Sequence, residues 1–249
     1  MKLTGKTILI TGASSGIGKA AALRFAQDKC HLILAARNIN ELNEVKKLVE
    51  EKGSTAEVVT CDVSKEDDIK KMFAGIDKLD AVFNNAGLGF DGKIFEQDAS
   101  KIKTLVDVNV LGMILVTKYA SEIMVKQKYG HIIMTSSVAG LVPVPGFSVY
   151  SATKWAITGF TASVRRELSK HNVKVSSLHP GKIKTYFWKR GGIDSDEITM
   201  SSVDSVANAV YRALFTNIYK IHVPFYVRVI YLVYRWFPWL VEFFLNNIG

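Results

Sequence analysis

The chain is short of cysteine, of metal-ligand clusters and of long apolar runs, and each shortage removes a class of protein. Cys30 and Cys61 are the only 2 cysteines in 249 residues. They form no C-x-x-C pair, which argues against a disulfide scaffold and for a reducing compartment with both thiols packed inside. The 5 histidines, His31, His131, His171, His179 and His222, fall at no metal-ligand spacing, so no catalytic metal is expected. Zinc-finger ligand sets, aromatic RNA-binding sheet motifs and long basic runs are missing, which leaves no case for nucleic acid. No stretch meets the requirement of about 20 consecutive apolar residues for a spanning helix. A strand-like run begins by Thr7, so no signal peptide is expected ahead of it. No Pro/Gly/Ser-rich linker and no internal repeat divides the sequence.

What is present suits one large α/β unit. The apolar share is 48%, ordinary for a globular chain able to bury a full core. The formal charge is +9, from 32 Lys and Arg against 23 Asp and Glu. That balance fits a basic soluble surface, or an anionic partner such as a phosphorylated cofactor or a lipid surface.

Strand and helix patterns alternate from the start. Apolar runs cover Thr7 to Thr11, His31 to Ala36, Glu57 to Thr60, Ala81 to Asn84, Gly130 to Thr135 and Val173 to Leu178. Helical patterns lie between them: about Gly16 to Asp28, Asn40 to Lys52, Glu66 to Gly75, Ser100 to Lys126 as one long helix, and Tyr150 to Lys170. Short uninterrupted apolar strands separated by amphipathic helices predict a doubly wound parallel sheet covered on both faces.

The first strand runs into Thr11-Gly12-Ala13-Ser14-Ser15-Gly16-Ile17-Gly18. Glycines there permit a tight turn, close approach of backbone to a phosphate and close helix packing. The helix that follows offers unpaired N–H groups and a positive dipole end to a pyrophosphate. The spacing is G-x-x-x-G-x-G, different from the commoner G-x-G-x-x-G. The second strand ends Ala35-Ala36-Arg37-Asn38, without the carboxylate that would bind a ribose 2′-hydroxyl. Arg37 stands there instead, and a guanidinium suits a 2′-phosphate. NADP(H) is therefore expected over NAD, although Ser15 occupies the place where a second basic residue would strengthen the case.

Tyr150 and Lys154 lie four apart at the start of a predicted helix, on one face. A free tyrosine titrates at about 10 and is a poor acid or base near neutrality. A neighbouring ammonium is expected to lower that value toward a useful range. Ser136 and Ser137 end the preceding strand, at the sheet edge where open α/β folds bind ligands, and could donate to a carbonyl oxygen.

In this order the motifs resemble the short-chain dehydrogenase/reductase superfamily, from about Lys6 to Thr185. They comprise the glycine turn, Asp62 after the third strand, Asn84-Asn85-Ala86-Gly87 after the fourth, Asn109, Ser137, Tyr150, Lys154, and Pro180-Gly181 with Thr185. The resemblance implies a Rossmann-type sheet and carbonyl–alcohol chemistry with a nicotinamide cofactor. It implies Tyr150 as general acid or base and Lys154 on the nicotinamide ribose. It implies Ser137 on the substrate oxygen and Asn109 as keeper of a water that relays protons to Lys154. Gly12, Ser14, Ser15, Gly16, Ile17 and Gly18 would line the pyrophosphate and nearby ribose, and Asp62 and Val63 would flank the adenine. Asn85, Ala86 and Gly87 would line the cleft, with Asn84 a brace. Pro180, Gly181, Ile183 and Thr185 would meet the nicotinamide side. A simpler reading has Asp62 capping the next helix and Asn109 bridging a helix break. The family also suggests a homo-oligomer, dimer or tetramer.

The catalytic unit is expected over 1–223, with Lys220 to Val223 as its last strand and a substrate lid at about 185–200. The lid is aromatic, Tyr186-Phe187-Trp188, before Gly191-Gly192. The remainder, 224–249, is an apolar extension that Pro238 is expected to split into two short helices. Arg228, Arg235 and Glu242 recur every seven residues, predicting a shared face. These helices either pack on protein or lie at a membrane surface with aromatics buried. Apolar lid and apolar tail together suggest a lipophilic small-molecule substrate for a cytoplasmic enzyme with peripheral membrane contact. The alternative function is an NADP(H)-binding regulator with little turnover. A sugar-nucleotide epimerase is disfavoured by the short chain and the gap between Gly12 and Gly16.

Overall fold

The computed structural model describes residues 2–184 and 201–247. Each apolar run becomes a strand: β1 Thr7–Thr11, β2 His31–Ala36, β3 Thr55–Thr60, β4 Ala81–Asn84, β5 Gly130–Thr135, β6 Val173–Pro180 and β7 Lys220–Val223. All pair in parallel, in the order β3-β2-β1-β4-β5-β6-β7. The order reverses between β1 and β4, which opens a crevice beyond the C-terminal strand ends.

The strands are apolar throughout because both faces are covered. Side chains alternate across a strand, so Ile8, Ile10, Leu32, Leu34 and Phe83 fill one core while Leu9, Ile33, Val82, Ile132 and Val175 fill the other. Against the first core pack α1 (Gly16–Phe25), α2 (Ile39–Glu50) and α7 (Val203–Ala213). Against the second pack α3 (Glu66–Phe73), α5 (Met113–Gln127) and α6 (Ser148–Ser169).

The long helix expected over Ser100 to Lys126 is not regular. It comprises α4 (Ala99–Val106), a π-helical segment Asp107–Gly112, and α5. The packing at this segment is tertiary and close: a side chain at Gly112 would drive into the Val63 carbonyl. Ala99–Gln127 is long and apolar enough, by length and composition only, to cross a membrane, yet it holds no unbroken apolar run of about 20 residues, as expected. Its apolarity has a packing cause, since Leu105, Val108, Met113, Val116, Ala120 and Met124 are buried.

Beyond β7 come α8 (Phe225–Trp236) and α9 (Pro238–Asn247), two short helices divided at Pro238 as expected. The inner face of α8 presents Val227, Ile230, Tyr231 and Tyr234 to Leu141 and Val142, on the loop that follows β5. Its outer face exposes Phe225, Val229, Leu232 and Trp236. The single face expected for Arg228, Arg235 and Glu242 is not continuous, because Glu242 lies on α9 beyond the break.

Candidate active site

A cleft of about 760 Å³ lies across the C-terminal strand ends, a volume ordinary for a small-molecule or cofactor site. Its floor begins at the glycine turn. Gly12 and Gly16 have φ of 67° and 54°, the left-handed region where a side chain is strained. A Cβ on Gly12 would lie 3.0 Å from the Ala86 Cα, and one on Gly18 would strike the Gly12 carbonyl. The α1 N-terminus receives no side-chain cap from Ser15 and has no acidic residue in its first turn. Its orphan N–H groups and dipole are thus left for an anion. Ser14, Ser15, Gly16 and Ile17 line the cleft at this point, so the cradle fits a dinucleotide pyrophosphate.

The loop after β4 is tied to this turn. The Thr11 hydroxyl accepts from the Asn85 and Ala86 amides at 2.9 and 3.0 Å. Thr11 also donates to Asn84 Oδ1 at 3.2 Å, while Asn84 Nδ2 donates to the Met113 carbonyl at 2.9 Å. Asn84 is therefore a brace, and Asn85, Ala86 and Gly87 face the cleft.

At the end of the cleft beside β2, Arg37 is exposed and lines the cleft. Asn38 is committed elsewhere: its Oδ1 accepts from the Asn40 and Glu41 amides and caps α2. Asp62 does not cap α3. Its Oδ1 accepts from the Ser64 amide at 3.0 Å and the Ser64 hydroxyl at 2.7 Å, closing a turn that presents Asp62 and Val63 to the cleft. Glu41, Ile39, Leu88 and Val108 also line it. Leu88 directly follows the Asn84–Gly87 motif, so position alone could have found it.

At the opposite end Tyr150 and Lys154, one turn apart on α6, come together with Ser137. All three are buried, at 5%, 2% and 7% exposure. The two serines at the strand end separate by role. Ser136 Oγ donates to the Lys154 carbonyl at 2.9 Å and pins α6 to β5, whereas the Ser137 hydroxyl is hydrogen-bonded to the Tyr150 phenol.

The electrostatics differ from the simple expectation. Burial pushes the Tyr150 phenol up to about 12, partly offset by the Ser137 hydrogen bond. Burial also pulls the Lys154 ammonium down to about 8. Lys154 Nζ donates to the Thr135 carbonyl at 3.1 Å and lies 5.6 Å from the Tyr150 ring centroid. Desolvation thus outweighs the lowering expected from the ammonium.

Asn109 is wholly buried in the π segment and does not line the cleft. Its Oδ1 accepts from the Leu88 amide and its Nδ2 donates to the Leu88 carbonyl, both at 2.8 Å, with a further bond to Thr153 Oγ1 at 3.2 Å. It locks the β4 loop to the helix break. A Cβ on Gly87 would stand 3.2 Å from Asn109 Oδ1 and 3.5 Å from Lys154 Nζ, so the two groups meet around that glycine. Pro180, Gly181 and Ile183 line the cleft, and the Tyr226 hydroxyl of α8 lies where a Gly181 side chain would be. Thr185 and the expected lid, 185–200, lie outside the described residues.

Comparison with known proteins agrees with this geometry. The family described as short chain dehydrogenase matches residues 6–194. An uncharacterised oxidoreductase of Staphylococcus epidermidis is 35% identical over 217 residues, covering 86% of this chain and 92% of its own. The NADP-dependent 3-hydroxy acid dehydrogenase of Schizosaccharomyces pombe is 36% identical over 193 residues, 75% of this chain and 74% of its own. A solved short-chain dehydrogenase from Sphingobium yanoikuyae, in complex with NADPH, aligns with a TM-score of 0.85 at 27% identity, over 98% of this chain and 95% of that one. With a family match over most of its length, on a sheet and cleft of this form, the chain belongs to the short-chain dehydrogenases and is an oxidoreductase of that type.

Proposed function

We propose that the protein interconverts a carbonyl and a secondary alcohol with NADP(H), on a lipophilic substrate. The observation that carries the reading is the convergence of Ser137, Tyr150 and Lys154 at one end of a cleft whose other wall is a glycine turn and an uncapped helix start.

On this reading the pyrophosphate is held by the backbone of Gly12 and Ser14 to Gly18, and the adenosine by Asp62 and Val63. Arg37 pairs with the 2′-phosphate as a charge-assisted donor. Asn85, Ala86 and Gly87 would line the cofactor cleft and Pro180, Gly181 and Ile183 its nicotinamide side, where the sequence motif alone also expects Thr185. The bound cofactor supplies or removes the hydride. Ser137 donates to the substrate oxygen. Tyr150 passes its phenolic proton to that oxygen in reduction and takes it back in oxidation. Lys154 counters the charge left on the phenol, and Asn109 holds the surrounding loop for proton resupply.

The lipophilic substrate is supported by apolar cleft residues, Leu88, Val108 and Ile183 among them. Peripheral contact with an anionic membrane surface is supported by the outer face of α8, where Phe225, Val229, Leu232 and Trp236 stand exposed beside Arg228 and Arg235, and by Phe237, Trp239 and Phe243 beyond it. Free, buried Cys30 and Cys61 support a cytoplasmic setting.

The test is NADPH consumption against carbonyls ranging from small polar ketones to long-chain and sterol-like compounds. Turnover of the apolar compounds is expected. Turnover of small polar ones alone would remove the lipophilic assignment, and tight NADPH binding with no turnover would favour the regulatory alternative.

A further inference from the structure

Ser137 is fixed from behind by a residue that the motifs do not include. The Nδ1 of His179, on β6, lies 3.1 Å from the Ser137 carbonyl oxygen. A carbonyl can only accept, so Nδ1 carries the proton. Nε2 is then the acceptor, 2.8 Å from the Ser177 hydroxyl. Regular β5–β6 pairing ends at Thr135 opposite Leu178, followed by the Ser136 amide donating to the Leu178 carbonyl at 2.8 Å. His179 adds one more cross-strand bond, made by a side chain, at the peptide of the serine that touches Tyr150.

The imidazole is itself clamped. It stacks on His222 of β7 with centroids 5.5 Å apart, and His222 stacks on Tyr231 of α8 at 5.8 Å. The Tyr231 hydroxyl accepts from Lys220 at 3.1 Å and Arg235 at 3.2 Å. A line of three rings thus runs from the Ser137 peptide to the C-terminal helix. His179 is wholly buried. The charged or titratable groups acting on it are Lys154 from α6 and Lys220 and His222 from β7. Burial, reinforced by these groups, holds the imidazole down at about 3 and keeps it neutral through the working range.

We propose that His179 is a positioning residue for the Ser137–Tyr150 pair, with its ring held in place from α8 through His222 and Tyr231. The proposal rests on the reading of Tyr150 as the proton-transfer group. A loose Ser137 peptide loosens the hydroxyl that holds the Tyr150 phenol below its fully buried value, so removing the Nδ1 donor affects proton transfer rather than cofactor binding.

The experiment compares His179→Phe, which keeps the ring stack and loses the donor, with His179→Asn, whose carboxamide can donate to the same carbonyl. Wild type and Tyr150→Phe run beside them, so an inert wild type or an active Tyr150→Phe marks failure of the underlying reading. For His179→Phe, kcat falls about tenfold, as loss of one hydrogen bond warrants. KM and the NADPH Kd are unchanged, and the pH–rate limb set by Tyr150 moves to higher pH. His179→Asn restores most of both. Unchanged kcat in His179→Phe overturns the proposal, as does equal loss in both variants without a pH shift, which would make the residue packing only. If His179→Phe does not fold, Ser177→Ala carries the test. The expected results are a kcat about threefold lower and the same direction of pH shift, and an unchanged kcat and profile overturns the proposal.

Discussion

The Ser137 hydroxyl is hydrogen-bonded to the Tyr150 phenol at the edge of the cleft, and this bond works against the burial that pushes Tyr150 up to about 12. On the proposed mechanism, the group that gives up a proton is thus enclosed where its anion is costly. The serine is its partial remedy. Ser137→Ala is expected to raise the Tyr150 pKa further and lower kcat by about 100-fold. Because oxidation needs the phenolate, the oxidative pH–rate profile should shift to higher pH. A profile at the wild-type position would mean the bond does not tune the phenol.

Arg37 lines the end of the cleft beside β2, as does Glu41, where the proposed function puts the adenosine. Arg37→Asp should change the ratio of kcat/KM for NADPH over NADH by at least about tenfold toward NADH, the worth of a charge-assisted pair. An unchanged ratio would show that Arg37 does not read a 2′-phosphate.

Acid should weaken the fold through two buried histidines, His131 and His179, and the half-buried His222. His131 and His222 are held down at about 4 and His179 at about 3, all by burial first, against an ordinary value of 6.5. Folded values below the unfolded one mean that the unfolded chain binds more protons between those limits, so stability falls as pH drops below 6.5. Tm should decline from pH 6.5 toward about 4. A flat Tm across that window would contradict neutral rings at these three positions.

The outer face of α8 is accessible to substitution because the inner face carries the packing: Val227 is fully buried while Trp236 is 70% exposed. Changing Val229, Leu232 and Trp236 to Ser should abolish sedimentation with phosphatidylglycerol vesicles and leave turnover of a water-soluble carbonyl intact. Undiminished sedimentation, or a lost dimer with no vesicle effect, would place membrane contact elsewhere or give the face to a second copy.

Local chemistry explains which features were legible in the sequence. β1, β2, β4 and β5 carried uninterrupted apolar runs between polar punctuation, and their bounds agree with the structure. β3 begins two residues earlier than its apolar pattern, at Thr55, because pairing with His31 extends an exposed edge strand whose side chains need not be apolar. The π segment at Asn109 was hidden, since its cause is tertiary: Gly112 meets Val63, and Asn109 reaches Leu88. Ser137, Tyr150 and Lys154 stood out by order and spacing, but the direction of the Tyr150 shift did not. Spacing puts Lys154 beside Tyr150 without revealing how deeply both are buried. His179 and His222 were visible only as histidines at no metal spacing, and their stack is a product of the β6–β7 register, which aligns them directly.

Hydride and proton chemistry at Tyr150 is tested most directly by following deuterium from 4-deuterated NADPH of both stereochemical forms into the alcohol product of the best carbonyl substrate, with wild type and Tyr150→Phe in parallel. The account predicts stoichiometric transfer from one form in the wild type. In Tyr150→Phe it predicts turnover reduced by at least about 100-fold with NADPH binding intact. Undiminished transfer in Tyr150→Phe, or product carrying no label from either form, would contradict it.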